Sequence, residues 1–434
     1  MAQHYNAAQS SLRSGDQETA AVEYKAFLAD AIHRAANARA RRGDFNGAVR
    51  SFDEALLFSG DDPAIRLDYA SVLFDQGRFK QAEAPAQSVV AADPKNTRAQ
   101  VLLGNVLFEE KDYANASVHL EAASDSGEFL QVWRTLGITY LRLQELDRAR
   151  NVLRKMIATL GDSPQNQVAA ATVYYYGDYP DQAAAELKRV IAQHPDAPDA
   201  HYYLGLACLA RNEEADYAKA VPEFQAELAL APDDFRSRYM LGYIALQQRH
   251  FAEAERELLR ARSLNPRDPG TQLLLGQLYS ETKRAPQAED ILRGLIASWS
   301  ENPADFRLVR AHYILGRLLR ENGRLEEGSS EIRTAEELRK QLRGSAAEPP
   351  PSRLKNPASA ESASRSSSFD KKPIAPNSAE QAQAQAFIAQ ISPLIGEAYY
   401  NLGGIAAQHK DPSLAAHYLE MAGEWDPSLA KLQH

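Results

Sequence analysis

Small and large apolar residues recur along this chain with a spacing close to 34 residues. One half of each period carries a Leu-Gly pair, and the other half carries the pattern Ala-x3-large-x2-small, as at Ala254, Leu258 and Ala261. The Leu-Gly pairs begin at Leu103, Leu136, Leu204, Leu241, Leu275, Leu315 and Leu402. Apolar residues three and four positions apart lie on one face of an α-helix, so each period predicts two short amphipathic helices.

The small and the large residues of each period have complementary roles. Glycine and alanine allow two helices to approach closely, while leucine, phenylalanine or tyrosine a few positions away fills the space beside them. Turn signals such as Gly43-Asp44 separate the two helices, and prolines such as Pro232 and Pro266 end the second helix because they cannot continue it. The pattern therefore predicts an all-α fold of repeated helix pairs.

One stretch matches a known repeat closely. The motif Trp133-x2-Leu136-Gly137-x2-Tyr140, followed by Ala149, resembles the tetratricopeptide repeat. The resemblance covers residues 1–342 and 393–434 and comprises about eleven units. Their second helices centre near Ala20, Ala48, Ala82, Ala116, Ala149, Ala183, Ala220, Ala254, Ala288, Gly328 and Ala415. The resemblance implies an all-α, right-handed superhelix (a solenoid) of helix pairs, and a protein that binds partners and does not catalyse a reaction.

The chain is predicted to have three regions. Residues 1–342 form a solenoid of about ten units, and residues 381–434 form a further helix pair. Residues 343–380 are dominated by serine, proline and alanine, cannot bury enough apolar surface to offset the entropy of ordering, and are predicted to be a disordered linker. Because a lone repeat cannot bury its apolar face, we expect the last pair to dock back on the solenoid, near Ile332 and Ala335.

The C-terminal end carries a further expectation. Ser428–His434 is similar to the opening of another first helix. The last complete helix has Leu414, Tyr418, Leu419 and Met421, which we expect to be partly uncovered. The chain is therefore expected to be a fragment of a longer repeat protein, or to cover this end by self-association.

Composition and charge exclude several classes of protein. A formal net charge of -9 and a pI near 5.7 argue against a nucleic-acid partner held by phosphate contacts. No apolar run approaches the ~18 residues of a membrane helix, so no membrane insertion is predicted. The N-terminus carries no leader peptide as written, so the compartment stays open: cytoplasmic as written, or periplasmic or secreted if a leader has been removed. A single cysteine, Cys208, excludes an intramolecular disulfide framework.

The sequence contains no motif for a phosphate loop, a dinucleotide site, a zinc protease or a calcium loop. His201 and His312 occupy the slot that Trp133 holds in its own unit, three residues before the leucine, and are predicted to fill an aromatic-type packing site. Cys208 is predicted to be a small buried thiol. We therefore predict no catalytic residue, no metal site and no cofactor.

Two positions of each first helix face the concave groove in the family that this chain resembles: two before the leucine and one after the glycine. The candidate partner-binding residues at these positions are Asn105, Arg134, Tyr202, Tyr239, Tyr243, Tyr313 and Arg317. Tyrosine offers a large rigid face with a polar tip, which suits recognition. Packing of these rings against the neighbouring helix is an alternative of equal weight. The Lys-Asn pair of chaperone-binding domains and the asparagine ladder of the O-linked GlcNAc transferase are both absent.

These observations favour a non-enzymatic scaffold or adaptor. Its groove is expected to bind a protein or peptide through tyrosine faces and a few arginines, including Arg310 and Arg320. Two alternatives stay open: a recruiting or sensory arm of an enzyme whose catalytic domain lies outside this chain, and a bacterial envelope assembly factor.

Overall fold

The computed structural model describes residues 1–125, 130–210, 214–299, 305–344 and 378–429. These residues form 21 helices joined by short turns, and no strand occurs among them. Successive helices pack as antiparallel pairs, for example α14 with α15 and α16 with α17, whose bounds follow. The predicted all-α solenoid fold of helix pairs is confirmed.

The helices belong to two compact units, residues 1–136 with 368–434 and residues 137–367, and α8 (Leu130–Arg142) contains the boundary. The other helices of the first unit are α1 (Ala2–Arg13), α2 (Gln17–Arg41), α3 (Phe45–Ser59), α4 (Pro63–Asp75), α5 (Phe79–Ala92), α6 (Thr97–Glu109), α7 (Tyr113–Ser124), α20 (Ser378–Gln408) and α21 (Pro412–Trp425). The second unit contains α9 (Leu146–Leu160), α10 (Pro164–Tyr176), α11 (Pro180–Gln193), α12 (Ala200–Cys208), α13 (Glu214–Leu230), α14 (Phe235–Gln247), α15 (Phe251–Leu264), α16 (Pro269–Glu281), α17 (Ala285–Ala297), α18 (Phe306–Glu321) and α19 (Leu325–Gly344).

Local sequence explains where these helices begin and end. Asp112 and Asp268 each accept a hydrogen bond from the backbone N–H three residues later, which satisfies a donor left open at the helix start. The turns inside the pairs use a left-handed residue: glycine at Gly323, with φ of 83°, but lysine at Lys283, with φ of 61°. Glycine adopts this conformation without steric cost, so the lysine turns hold about 1–2 kcal/mol of strain.

The glycine of the Leu-Gly pair sets the distance between the two helices of a pair. A Cβ added at Gly242 would lie 2.7 Å from Cγ of Leu258 on α15. At Gly276 it would lie 2.6 Å from Cδ2 of Leu292 on α17. The large residue of the second pattern therefore packs directly on the glycine of the first, as the spacing predicts.

The C-terminal helices α20 and α21 pack on α2 within the first unit. Tyr24, Leu28 and Ala31 of α2 are fully buried, and so is Ile395 of α20 in the same core. Burying one such large side chain contributes about 1.5–3 kcal/mol before the entropy of ordering is counted. The first three helices and the last two helices thus share one hydrophobic core.

Two carboxylates contribute polar contacts to this packing. Glu54 of α3 accepts a hydrogen bond from the Tyr399 hydroxyl (2.6 Å) and another from Nε1 of Trp425 (2.7 Å). In the reverse direction, Glu397 of α20 accepts a hydrogen bond from the Tyr5 hydroxyl of α1 (2.5 Å). Each segment therefore supplies a carboxylate to donors of the other.

The structure corrects the expected docking partner of the last pair. The expected partner is the helix at Ile332 and Ala335, whereas the structure shows the pair packed against α2 within the first unit. The 25-residue α2 is fully buried at Phe27, Ile32 and Ala35, so it presents more apolar surface than one helix pair can cover. The sequence pattern indicates only the nearest helix along the chain and carries no information about this surplus.

The face of α21 that was expected to be uncovered is largely covered. Tyr418 is buried and Leu419 and Met421 are half-buried, whereas Leu414 is exposed. Self-association through this end stays a prediction. Most of the predicted linker and residues 430–434 lie outside the described residues, while positions 343–344 and 378–380 belong to α19 and α20.

Candidate functional site

Three of the candidate tyrosines lie inside the second unit. Tyr202 on α12 and Tyr239 and Tyr243 on α14 are all buried. The Tyr202 ring lies 5.9 Å from that of Phe224, and the guanidinium of Arg236 lies 4.5 Å from its centre. This burial favours the packing alternative for these rings, and their direct contact with a ligand stays a prediction.

Two further candidates belong to helices that begin in the first unit. Asn105 is half-buried on α6, and Arg134 is buried on α8. Neither side chain presents a broad accessible surface. Their role in partner binding also stays a prediction.

The last two candidates are exposed together on α18. Tyr313 is 53% exposed, and the side chain of Arg317 is 51% exposed. Arg310 and Arg320 are exposed on the same side of the helix, because three or four residues make one turn. We name this surface, Arg310 with Tyr313, Arg317 and Arg320, the α18 face. The opposite side of α18, including Leu315, is buried.

The arginines of the α18 face are weakly neutralised. Nη2 of Arg310 donates a hydrogen bond to the amide oxygen of Gln277 on α16 (2.5 Å). Nε of Arg317 lies 3.5 Å from a carboxylate oxygen of Glu321. Within the residues that the structure describes, neither Arg310 nor Arg320 has a carboxylate partner at ion-pair distance. An exposed pair of this kind contributes about 0–1 kcal/mol, so these guanidinium groups can exchange partners at little cost.

Arginines elsewhere in the second unit are held by carboxylates. Arg284 donates to both oxygens of Glu255, at 2.8 and 2.9 Å, and these hydrogen bonds lower the pKa of Glu255. Arg324 lies between Glu289 (2.7 Å) and Glu327 (2.6 Å), and its hydrogen bond lowers the pKa of Glu327. A ligand carboxylate would have to displace a closely held internal carboxylate at those positions, whereas on the α18 face it would compete only with the loose contact of Glu321 at Arg317.

Sequence reasoning missed a chain of aromatic rings beside Tyr202. The ring of Tyr175 meets that of Tyr176 at 5.3 Å, Tyr176 meets Tyr203 at 6.4 Å, and Tyr203 meets Tyr202 at 5.3 Å. Tyr175, Tyr176 and Tyr203 are half-buried. The sequence carries a signal for this chain of rings in the runs Tyr174–Tyr176 and Tyr202-Tyr203. Apart from Tyr202, these tyrosines lie outside the two groove-facing positions of each first helix.

The two histidines near the Leu-Gly pairs hold hydrogen bonds between helices. Nδ1 of His201 lies 2.7 Å from Glu223 on α13, and Nδ1 of His312 lies 2.6 Å from Glu331 on α19. The corresponding residue on α14, Arg238, contacts Glu257 of α15 in the same way. These positions therefore join the two helices of a pair, beyond the packing role that the sequence predicts.

The remaining features offer little reactive or ligand-binding chemistry. Cys208 is half-buried, and burial raises the pKa of its thiol, so the unreactive thiol form dominates at neutral pH. Among the described residues, no group of three or more His, Cys, Asp or Glu side chains is placed to hold a metal ion. None of the helices in the described ranges is both long and apolar enough to cross a bilayer.

Comparisons with known proteins point to one repeat family. Tetratricopeptide repeat family models match residues 39–106, 168–235, 213–269 and 239–303. The TPR repeat-containing thioredoxin TTL4 of Arabidopsis thaliana is 28% identical over 111 residues, which is 25% of this chain and 16% of that protein. The cellulose synthase 2 operon protein C of Komagataeibacter xylinus is 24% identical over 271 residues, which is 57% of this chain and 20% of that protein. The chain thus spans a fifth or less of the length of these relatives.

Solved structures show similar helix repeats at low identity. Yeast Tom70 is 13% identical, with 94% of each chain covered and a TM-score of 0.34. A tetratricopeptide repeat protein from Parabacteroides merdae is 11% identical, with 71% of this chain and 98% of that chain covered and a TM-score of 0.37. These scores are too low to transfer a function.

Proposed function

We propose, because this chain is a tetratricopeptide repeat protein, that it is a non-enzymatic scaffold that binds an extended segment of a protein partner on the exposed sides of its first helices. Solenoid surfaces of this kind gain affinity by summing modest contacts along an extended ligand. The proposal needs no catalytic residue within the chain.

The α18 face is the observation that supports this proposal. Tyr313 is a large aromatic residue with more than half of its surface exposed, on a helix whose other side is buried at Leu315 and Leu318. An exposed ring between arginines contributes little to the folded core, and tyrosine and arginine are the residues that most often dominate binding energy at interfaces. The face therefore offers binding groups that the fold itself does not consume.

The buried tyrosines have a supporting role in this proposal. Tyr202, Tyr239 and Tyr243 pack between helices and hold the first helices of the second unit in a fixed arrangement. A rigid surface loses less entropy when a ligand binds, so affinity depends on these rings even without direct contact. Asn105 and Arg134 are retained as proposed partner-binding positions of the first unit.

The test uses a photo-crosslinking amino acid placed at position 313 of the full-length chain. A partner that crosslinks from position 313, but not from the equally exposed Val118 of α7, is the expected result. The affinity of that purified partner is then measured for the wild type, for Tyr313→Phe and for Tyr313→Ala. Loss of a central aromatic contact costs ~2 kcal/mol, so Tyr313→Ala is expected to bind about thirtyfold more weakly and Tyr313→Phe nearly normally.

Two outcomes of these experiments contradict the proposal. Equal crosslinking from positions 313 and 118, or equal affinity of the wild type and Tyr313→Ala, contradicts the assignment of this face. Circular dichroism of the variants checks that the helices are intact.

One observation favours the alternative of a recruiting arm. The chain spans 16% and 20% of two longer relatives, one of which is a bacterial cellulose synthase operon protein. The scaffold is then the recruiting or sensory arm of a larger enzyme whose catalytic domain lies outside this chain. Co-purification of an enzyme activity with the chain and its identified partner is the result that supports this alternative.

A further inference from the structure

We infer that the α18 face recognises an extended acidic peptide segment, in which two carboxylate side chains four residues apart flank an apolar or aromatic residue midway between them. This inference rests on the proposed function and names the chemistry of its partner. It follows from the charge, the spacing and the exposure of the four residues of the face.

The charge of the face is opposite to that of the chain. The protein has a formal net charge of -9, yet the α18 face carries three arginines and no acidic member. Glu321 is the one carboxylate in ion-pair contact with them among the described residues, and its distance of 3.5 Å from Arg317 marks a loose contact. Unneutralised guanidinium groups attract anions and bind carboxylates through paired hydrogen bonds.

The contrast with other arginines makes this signal specific. Arg284, Arg293 and Arg324 are all on neighbouring helices or turns of the same unit, and each is hydrogen-bonded to at least one carboxylate at 3.1 Å or less. Their charge is used within the fold. Arg310 instead contacts a neutral amide, so its charge is available to a ligand.

The spacing along the helix sets the form of the ligand. Arg310 and Arg317 are seven residues apart, which is about 10 Å along an α-helix. Residues four apart in an extended segment point to the same side, as does the residue midway between them, and lie about 13 Å apart. The long, flexible arginine side chains cover the difference between these two distances. Tyr313 lies between the two arginines, where its exposed ring can cover an apolar side chain. Arg320 extends the same line and can take a third carboxylate.

A peptide fits this face better than a nucleic acid does. Three arginines within about 15 Å of one helix match a few carboxylates but not the continuous charge of a phosphate backbone. The acidic character of the whole chain opposes a long polyanion more than a short one. Preferential binding of a nucleic acid would therefore contradict this inference.

The test measures fluorescence anisotropy of labelled peptides with the full-length chain. One probe carries glutamates four residues apart with a tyrosine midway between them, and a second probe has glutamine in place of the two glutamates. We expect the glutamate probe alone to bind, and its affinity to fall as salt is raised. Loss of one charge-assisted hydrogen-bonding group weakens binding about tenfold, so Arg310→Gln and Arg317→Gln should each show that loss. Arg189→Gln on α11, an equally exposed arginine already paired with Glu186, is the matched control and should bind normally.

Each contrary result has a distinct meaning. Equal binding of the glutamine probe, or no binding of the glutamate probe, overturns the acidic preference, and so does a single-stranded oligonucleotide that displaces the glutamate probe at lower concentration. If the partner crosslinked from position 313 still loses affinity with Tyr313→Ala in any of these cases, the proposed function stands and only its acidic chemistry fails. If no partner crosslinks there, the proposed function itself fails.

Discussion

The carboxylate of Glu54 joins helices that are more than three hundred residues apart in the chain. Tyr399 and Trp425 both donate to its Oε1, and the guanidinium of Arg39 lies 4.5 Å from the Trp425 ring centre. Burial raises the pKa of Glu54, although both hydrogen bonds and the nearby arginine oppose that rise. A half-buried carboxylate of this kind depends on its donors, because leaving it without them costs the desolvation energy of the group.

Removing one donor should therefore destabilise the first unit. We expect Tyr399→Phe to lower its free energy of unfolding by about 1–3 kcal/mol, since the ring is kept and only the hydroxyl is lost. Denaturant unfolding measures this change. Tyr400→Phe is the control, because Tyr400 is the next residue and is 38% exposed. An equal loss in both variants contradicts the role of Glu54.

A second carboxylate predicts a pH effect. Burial raises the pKa of Glu109 on α6 to about 7 from an ordinary value of 4.5. The folded state therefore holds a proton that the unfolded state has already lost between these two values. Stability falls as pH rises from 4.5 through 7 and stays lower above that.

The variant Glu109→Gln should remove this dependence. We expect it to raise the free energy of unfolding by about 1–3 kcal/mol at pH 8 and to leave it nearly unchanged at pH 4, where the carboxyl is protonated in both states. Denaturant unfolding at several pH values is the measurement. A gain of the same size at pH 4 and pH 8 would refute the ionisation account.

At the scale of the helix pair, glycine determines how closely the helices approach. We expect Gly242→Ala to lower stability by about 1–3 kcal/mol, because the new Cβ would lie 2.7 Å from Leu258 and 3.3 Å from its backbone nitrogen. Gly294→Ala on α17 is the matched control, since nothing lies within 4 Å of that Cβ and alanine favours the helix by up to about 1 kcal/mol. Thermal unfolding compares the two variants, and similar destabilisation in both argues against the packing role.

Much of this level of structure can be predicted from the sequence. The 34-residue period is a local signal, because Gly242 and Leu258 meet within one pair. The same period places Tyr313 and Arg317 on an exposed side of α18, and their role in binding stays a prediction. The same register also contains Tyr202 and Tyr239, which are buried. Periodicity gives the side of a helix on which a residue lies, but the depth of burial depends on side chains of neighbouring helices, such as Phe224.

At the scale of the whole molecule, apolar packing and hydrogen bonds hold the last helix pair against the first helices, which are far from it along the chain. The covalent connection runs through residues 345–377, whose composition predicts an exposed linker. Sequence reasoning could not choose α2 as the partner, because contacts such as Tyr399 with Glu54 connect positions 345 residues apart. No periodic pattern encodes a contact of that range.

Cutting the linker should therefore leave the protein in one piece. We expect limited proteolysis to cut first within residues 345–377, and the fragment that contains α20 and α21 to stay bound through the core around Tyr24 and Ile395. Native mass spectrometry and size-exclusion chromatography of the cleaved protein measure this. Elution of two separate fragments without denaturant shows that the core is insufficient, and Tyr399→Phe should make such separation easier.

The packing of α2 against α20 also has a consequence for protein synthesis. A ribosome completes α1 to α3 more than three hundred residues before it reaches α20, a delay of roughly 15 to 60 s at ordinary elongation rates. During that interval the apolar surface of α2 around Tyr24, which shares a core with Ile395 in the folded protein, is not covered by α20. The nascent chain therefore exposes its N-terminal helices to chaperones, or to other nascent chains, until the last helices emerge.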